Sequence, residues 1–376
     1  MTHFDFDKTI SREGTASEKH EQFREFNAIP MWVADTDFKS PDIVQEAIAE
    51  RTRHGIFGYT GPSESLQQSV QSWLKAKYAW DIEKEWIYWL PGVVPGFNLS
   101  ILALTSDTDA VAVQTPNYPP LLNAPILNNR ERLLIETYES EGRWHLNMTQ
   151  LEQQFRQKNC SMFVMCNPMN PCGTRLNLEE LEHIVSLAKQ HNVQLCSDEI
   201  HCDLLLDPSI PHIPLGKIDD NAITIMAASK TFNIAGLSCS LAIIKDPAVR
   251  AKLAKKGKGL VSTPNLLGFT ATEAAFTGGA DWLDAQMAYL NQNLEFLIDY
   301  LPKLPGLKML KPEATFLAWI DCRETGLEDP FQHFLDNGVA LSNGKDFGMP
   351  GFVRLNFGCP MSQLEAALDK MRQALN

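Results

Sequence analysis

The eight cysteines of this 376-residue chain include no Cys-x-x-Cys pair, which removes zinc-knuckle and thioredoxin-like readings. Basic residues are also short, 33 Lys and Arg against 46 Asp and Glu. The resulting formal charge of −13 argues against nonspecific nucleic-acid binding, which needs a basic surface. No apolar run approaches the roughly 18 residues of a membrane-spanning helix. Met1 to Lys8 lack the basic start and apolar stretch of a secretory signal, so a soluble, cytoplasmic protein is expected. No internal repeat, low-complexity tract or disordered linker interrupts the chain. What remains is a 44% apolar sequence, long enough for one large domain and a smaller one.

The middle of the chain alternates strand-like and helix-like segments. Asp109–Val113 and Leu133–Thr137 read as strands. A helix over 177–191 is expected, with Asn177 as its cap, Glu180 as the reciprocal capping residue, and an apolar stripe of Leu178, Leu181, Ile184, Val185 and Ala188. Such alternation implies a mostly parallel sheet covered by helices. The gap between Lys230 and the apolar run Cys239–Ile244 is too short for a crossover helix, so that run should be antiparallel to its predecessor. The last hundred residues predict a long helix over Asp281–Leu301, strands at Phe316–Ile320, Val339–Leu341 and Phe352–Phe357, and a final helix from about Ser362.

Three apolar runs each end in polar residues suited to chemistry. Met162–Cys166 leads into Asn167-Pro168-Met169-Asn170-Pro171-Cys172-Gly173, Val193–Cys196 into Ser197-Asp198-Glu199-Ile200-His201, and Ala222–Ala227 into Ala228-Ser229-Lys230. A lysine amine can form a Schiff base with an aldehyde. An aspartate can keep a pyridine nitrogen protonated, and an amide can donate to a phenolate oxygen. These are the parts needed to hold pyridoxal phosphate. Each has an ordinary alternative: a solvated lysine, a Pro turn, a helix start, a structural histidine. Their shared order and strand context is what makes the combination specific.

With these motifs the sequence resembles the fold-type-I pyridoxal-phosphate enzymes of the class I/II aminotransferase superfamily. The resemblance implies a three-layer α/β/α large domain over 46–275, with a mostly parallel mixed sheet. It also implies a smaller α/β domain from 276–376, joined by 1–45. It makes Lys230 the Schiff-base lysine, Asp198 the partner of the ring nitrogen, and Asn170 and His201 groups near the phenolate oxygen. Tyr118, in Thr115-Pro116-Asn117-Tyr118, would stack on the ring. The N–H groups of Val93 and Val94, after Pro91-Gly92, would meet the phosphate together with the Ser229 hydroxyl. Tyr59 would reach the phosphate of a neighbouring subunit, so a homodimer with shared active sites is implied. Arg354 alternates with Val353 and Leu355 on its strand, sharing a face with Asn356, and would hold the carboxylate of a small amino-acid substrate. Ala227 and Ser238 stand where relatives often carry further phosphate ligands, a hydroxyl and an arginine.

Pro30-Met31-Trp32-Val33-Ala34-Asp35-Thr36-Asp37-Phe38 and Phe352–Pro360 resemble the cystathionine β-lyase, or C–S lyase, branch of the MalY/PatB type, from which Thr36 and Cys172 depart. The implied reaction is β-elimination from L-cystathionine or another L-cysteine S-conjugate. An amino-acid aminotransferase using the same lysine is the first alternative. A non-catalytic regulatory or partner-binding protein on the same fold is the second.

Overall fold

In strands buried on both faces, alternate residues serve two cores at once, and this chain shows it clearly. Val111 and Val113 pack with Phe97, Leu99 and Leu253, whereas Ala110 and Ala112 pack with Phe155, Leu181 and Ile184. Met162 and Val164 divide from Phe163 and Met165 in the same way. The result is a sheet sandwiched between helices Val93–Leu104, Pro119–Leu127 and Pro247–Gly257 on one side and Met148–Phe155 and Leu178–His191 on the other. The structure, a computed structural model, describes residues 4–376, so Met1, Thr2 and His3 lie outside the described residues.

The sheet has eight strands. From edge to edge they are Ile87–Leu90, Ser240–Ile243, Ile223–Met226, Gln194–Asp198, Cys160–Cys166, Ala110–Thr115, Glu131–Ser140 and Arg143–Leu146. Ser240–Ile243 is antiparallel to both its neighbours, and Arg143–Leu146 is antiparallel to Glu131–Ser140. The remaining pairings are parallel. The antiparallel strand after Lys230 therefore sits where the short connection requires it. The helix Leu178–His191 starts at a full capping box: Asn177 Oδ1 accepts from the Glu180 N–H at 2.9 Å, and Glu180 Oε2 accepts from the Asn177 N–H at 2.8 Å.

The C-terminal part builds a separate antiparallel sheet in the order Lys308–Met309, Leu317–Asp321, Phe352–Asn356, Ser342–Asn343. The strand expected at Val339–Leu341 is shorter, Val339–Ala340, and does not join that sheet. It pairs in parallel with Ile29–Pro30. Its partner lies more than three hundred positions away, which no local pattern reveals. Phe6, Met31 and Phe38 share a core with Trp282, Leu290, Phe357 and Leu364 from the C-terminal part. That core continues to Trp73 and Phe232, so it fixes the C-terminal sheet against the segment that carries Lys230.

Candidate active site

Because five strands run parallel, their C-terminal ends open on one edge, where ligands of open α/β sheets bind. Tyr118, Asn170, Asp198, Ser229 and Lys230 all follow or end strands at that edge. Ile87–Leu90 points the same way, since it and Ile223–Met226 are both antiparallel to Ser240–Ile243. Helix Val93–Leu104 therefore starts at this edge, about 10 Å from the lysine strand by two strand spacings. The first N–H groups of a helix have no partner within it, and Pro95 has none to give, so Val93 and Val94 are its free donors. A Cβ at Gly96 would come within 2.9 Å of Leu90 Cδ1 and 3.1 Å of Ile225 Cδ1, so the glycine lets this helix lie tightly on the sheet.

Asp198 is buried, and among hydrogen bonds its carboxylate accepts one, from the Ile200 N–H at 3.2 Å. Burial pushes this carboxyl up to about 7; Glu199 adds to the shift, while the Ile200 N–H and Lys230 oppose it. Burial also brings the Lys230 ammonium down to about 8, with Asp35 and Asp198 opposing and Arg354 assisting. Its Nζ donates to the Ala34 carbonyl at 2.7 Å. His201 is buried edge-on to Phe316, and its Nδ1 has no partner. Burial, Lys230 and Arg354 hold the imidazole down at about 3, so it stays neutral. Tyr118 is half-buried, and its phenol is raised first by burial and then by Asp198.

The loop that delivers Asn170 turns at Gly173, where φ is +69° and a Cβ would collide with Pro312 Cβ. Asn170 Oδ1 accepts from Arg354 Nη1 at 2.9 Å, leaving its Nδ2 group to donate elsewhere. Arg354 reaches this edge from the C-terminal sheet. Its Nη2 donates to the Trp32 carbonyl at 2.7 Å and to Ser342 Oγ at 3.1 Å, its guanidinium lies 4.7 Å from the Phe347 ring centre, and its Nε is unpartnered. Burial lowers it to about 10. None of its hydrogen-bond acceptors is a carboxylate, so a buried cation is left for an anion to neutralise.

Lys230, Asp198, Tyr118, His201, Asn170 and Arg354 are thus brought into mutual electrostatic or hydrogen-bonding reach. Tyr59 is not: it is fully exposed, in the irregular segment between helices Asp42–Arg53 and Glu64–Tyr78. Cys172 is buried and its thiol is pushed up by desolvation, so it behaves as a small apolar loop residue. Sequence reasoning gave no role to the backbone carbonyls of Trp32 and Ala34, to Ser342, or to Asn356, whose Nδ2 bonds the Val33 and Asp35 carbonyls. The alternation that places Asn356 on the Arg354 face was its only signal. Among the described residues no cluster suited to a metal occurs.

The donor set matches what pyridoxal phosphate requires: a buried lysine whose ammonium is lowered toward neutrality, an under-satisfied buried carboxylate, a neutral imidazole with an open nitrogen, and helix-end N–H groups. The family model described as aminotransferase class I and II matches residues 33–371. Cystathionine beta-lyase PatB of Bacillus subtilis is 37% identical over 99% of this chain and 100% of its own length. The crystal structure of OvoB aligns at a TM-score of 0.96 with 40% identity over 99% of both chains. A pyridoxal-phosphate-bound C-S lyase from Staphylococcus hominis aligns at 0.94 with 31% identity, covering 100% of this chain and 98% of the other.

Proposed function

The chain belongs to the class I and II aminotransferase family, and on that premise we propose that it is a pyridoxal-phosphate-dependent carbon–sulfur lyase. It cleaves L-cystathionine or another L-cysteine S-conjugate by β-elimination to a thiol and an enamine, which water hydrolyses to pyruvate and ammonia. The observation that carries this reading is the convergence of Lys230, Asp198 and Arg354 at one sheet edge, in a chain 37% identical along its length to a cystathionine β-lyase.

Lys230 would hold the cofactor's aldehyde carbon and Asp198 its ring nitrogen. Asn170 Nδ2 and His201 would serve the phenolate oxygen, and Tyr118 the ring face. The Val93 and Val94 N–H groups and Ser229 would take the phosphate. When bound, the cofactor supplies an electron sink that makes the substrate Cα proton acidic. Asp198 would keep a proton on the ring nitrogen, and that positive charge would offset the cost of ionising this buried carboxyl. Once the substrate amine has replaced it on the aldehyde carbon, the released Lys230 Nζ would take the Cα proton as general base. Arg354 binds the α-carboxylate, which supplies the counter-charge its surroundings lack, and so fixes the Cα–H bond relative to Lys230.

The exposed apolar residues Ile56, Phe57 and Tyr59 suit a homodimer in which Tyr59 of the partner subunit completes the phosphate site. Residues 46–275 form the large cofactor domain in this reading, and 1–45 with 276–376 the small one. Eight unpaired cysteines suit the reducing cytoplasm, and among the described residues no helix is long and apolar enough to cross a membrane. The test is incubation of the cofactor-loaded protein with L-cystathionine and no keto acid. Equal, repeated release of pyruvate and thiol is expected; amino transfer only after keto acid is supplied would overturn the lyase assignment.

A further inference from the structure

The segment 31–36 has no regular secondary structure of its own, yet each of its backbone carbonyls accepts a hydrogen bond. Met31 O accepts from the Asn356 N–H at 2.8 Å, and Trp32 O from Arg354 Nη2 at 2.7 Å and Ser342 Oγ at 2.9 Å. Val33 O and Asp35 O share Asn356 Nδ2, Ala34 O accepts from Lys230 Nζ at 2.7 Å, and Thr36 O from Asn233 Nδ2 at 2.9 Å. One strap therefore touches both the lysine and the arginine of the site. Its side chains are clamped in turn. Asp35 meets Arg12 at 2.8 Å and Lys19 at 3.5 Å, while Asp37 meets the fully buried Lys19 at 2.7 Å.

We infer that this strap is a positioning device for the catalytic lysine: Ala34 O is the acceptor on which the released Lys230 amine rests, and Asp35, pinned by Arg12 and Lys19, holds that acceptor in place. The inference rests on the reading of Lys230 given above and deepens it. An amine released from the cofactor must remain close enough to collect a proton and must then be stable as an ammonium. The Ala34 carbonyl offers it a fixed acceptor, and the Asp35 carboxylate next along the chain offers charge. The charges that act on Lys230 are the carboxylates of Asp35, Asp198 and Glu18 and the Arg354 guanidinium, and Lys230 in turn helps keep the His201 ring neutral. Asp35 is the carboxylate among these that is attached to the strap itself. Arg12 and Lys19 orient it and neutralise part of its charge, so the lysine feels an attenuated anion.

The test uses the full-length chain stripped of cofactor, and follows the rate at which it recaptures pyridoxal phosphate as a function of pH. Condensation needs the unprotonated amine, so the profile reports the Lys230 titration. Comparing variants cancels the titration of the cofactor. Borohydride reduction and peptide mapping establish that the adduct is at Lys230, and far-UV circular dichroism establishes the fold at each pH. Asp35→Asn should move the midpoint down by about half a pH unit or more. Asp35→Glu should restore it. Arg12→Ala, which unmasks Asp35, should move it up. Opposite signs from the two ends of one ion pair are not expected of a merely structural contact. An Asp35→Asn profile that superimposes on the unsubstituted one would overturn the inference. An unsubstituted chain whose adduct forms elsewhere than Lys230 would overturn the functional reading itself.

Discussion

Two buried charged clusters meet neighbouring residues of the same strap, Ala34 and Asp35, and they treat their charges differently. In the first, Lys19 is fully buried, but its Nζ donates to Asp37 Oδ2 at 2.7 Å and to the Asp35 carbonyl at 3.3 Å. Asp37 would be raised by burial alone. His20, Lys19 and Arg12 more than offset this and take its carboxyl well below the usual carboxylate range. In the second, Asp198 is pushed up to about 7, Arg354 down to about 10, and Lys230 down to about 8, each first of all by burial. In the first cluster each carboxylate is paired with a cation of the protein itself. The second is built so that part of its satisfaction must come from a ligand. The difference separates a structural clamp from a binding site on physical grounds, without appeal to sequence likeness.

The comparison can be broken most severely at the lysine. Lys230→Ala should cut thiol and pyruvate release by about a thousandfold or more while leaving the melting temperature of the cofactor-free protein nearly unchanged. A near-normal rate would refute its role. Lys19→Met should do the reverse in kind. It removes the buried ammonium paired with Asp37, which keeps Arg12 at 3.2 Å and Gln363 at 3.0 Å, and should lower the unfolding free energy by about 2 kcal/mol, read from urea titration. Arg354→Ala should raise KM for the amino acid by about ten- to a hundredfold, with kcat falling less. Unchanged KM would place the carboxylate elsewhere.

The smallest effect is the sharpest contrast, because the two aspartates should tilt stability with pH in opposite directions. The folded Asp37 titrates below its unfolded value of about 4. Its contribution is therefore fully present above that value and is lost as pH falls through the acid range. Asp198 titrates at about 7 when folded, so in the cofactor-free chain stability declines as pH rises from about 4 to that value. Urea midpoints across pH should show Asp37→Asn flattening the acid limb and Asp198→Asn flattening the decline toward neutrality. Unaltered slopes would show that the two clusters do not differ as described.

Much of this was legible beforehand. The alternation of apolar runs placed the strands that carry Asn170, Asp198 and Lys230, and the short gap after Lys230 was enough to reverse the next strand. The capping box at Asn177 is a local motif and needed no tertiary context. The long-range pairing of Ile29–Pro30 with Val339–Ala340 was not legible, since two-residue strands leave no periodicity. Nor was the strap: its contribution to the site is made by main-chain oxygens, which every residue possesses, and residue type therefore carries no mark of it.

Sequence by itself determined the layered α/β architecture and the kinds of group delivered to one sheet edge, because apolar spacing and strand-end chemistry are written locally. Tertiary structure alone decided which of those groups are left wanting a partner. Desolvation depends on everything packed around a side chain, so the raised Asp198 and the lowered Lys230 and Arg354 exist only once Trp32, Ala34 and the C-terminal sheet have closed over them.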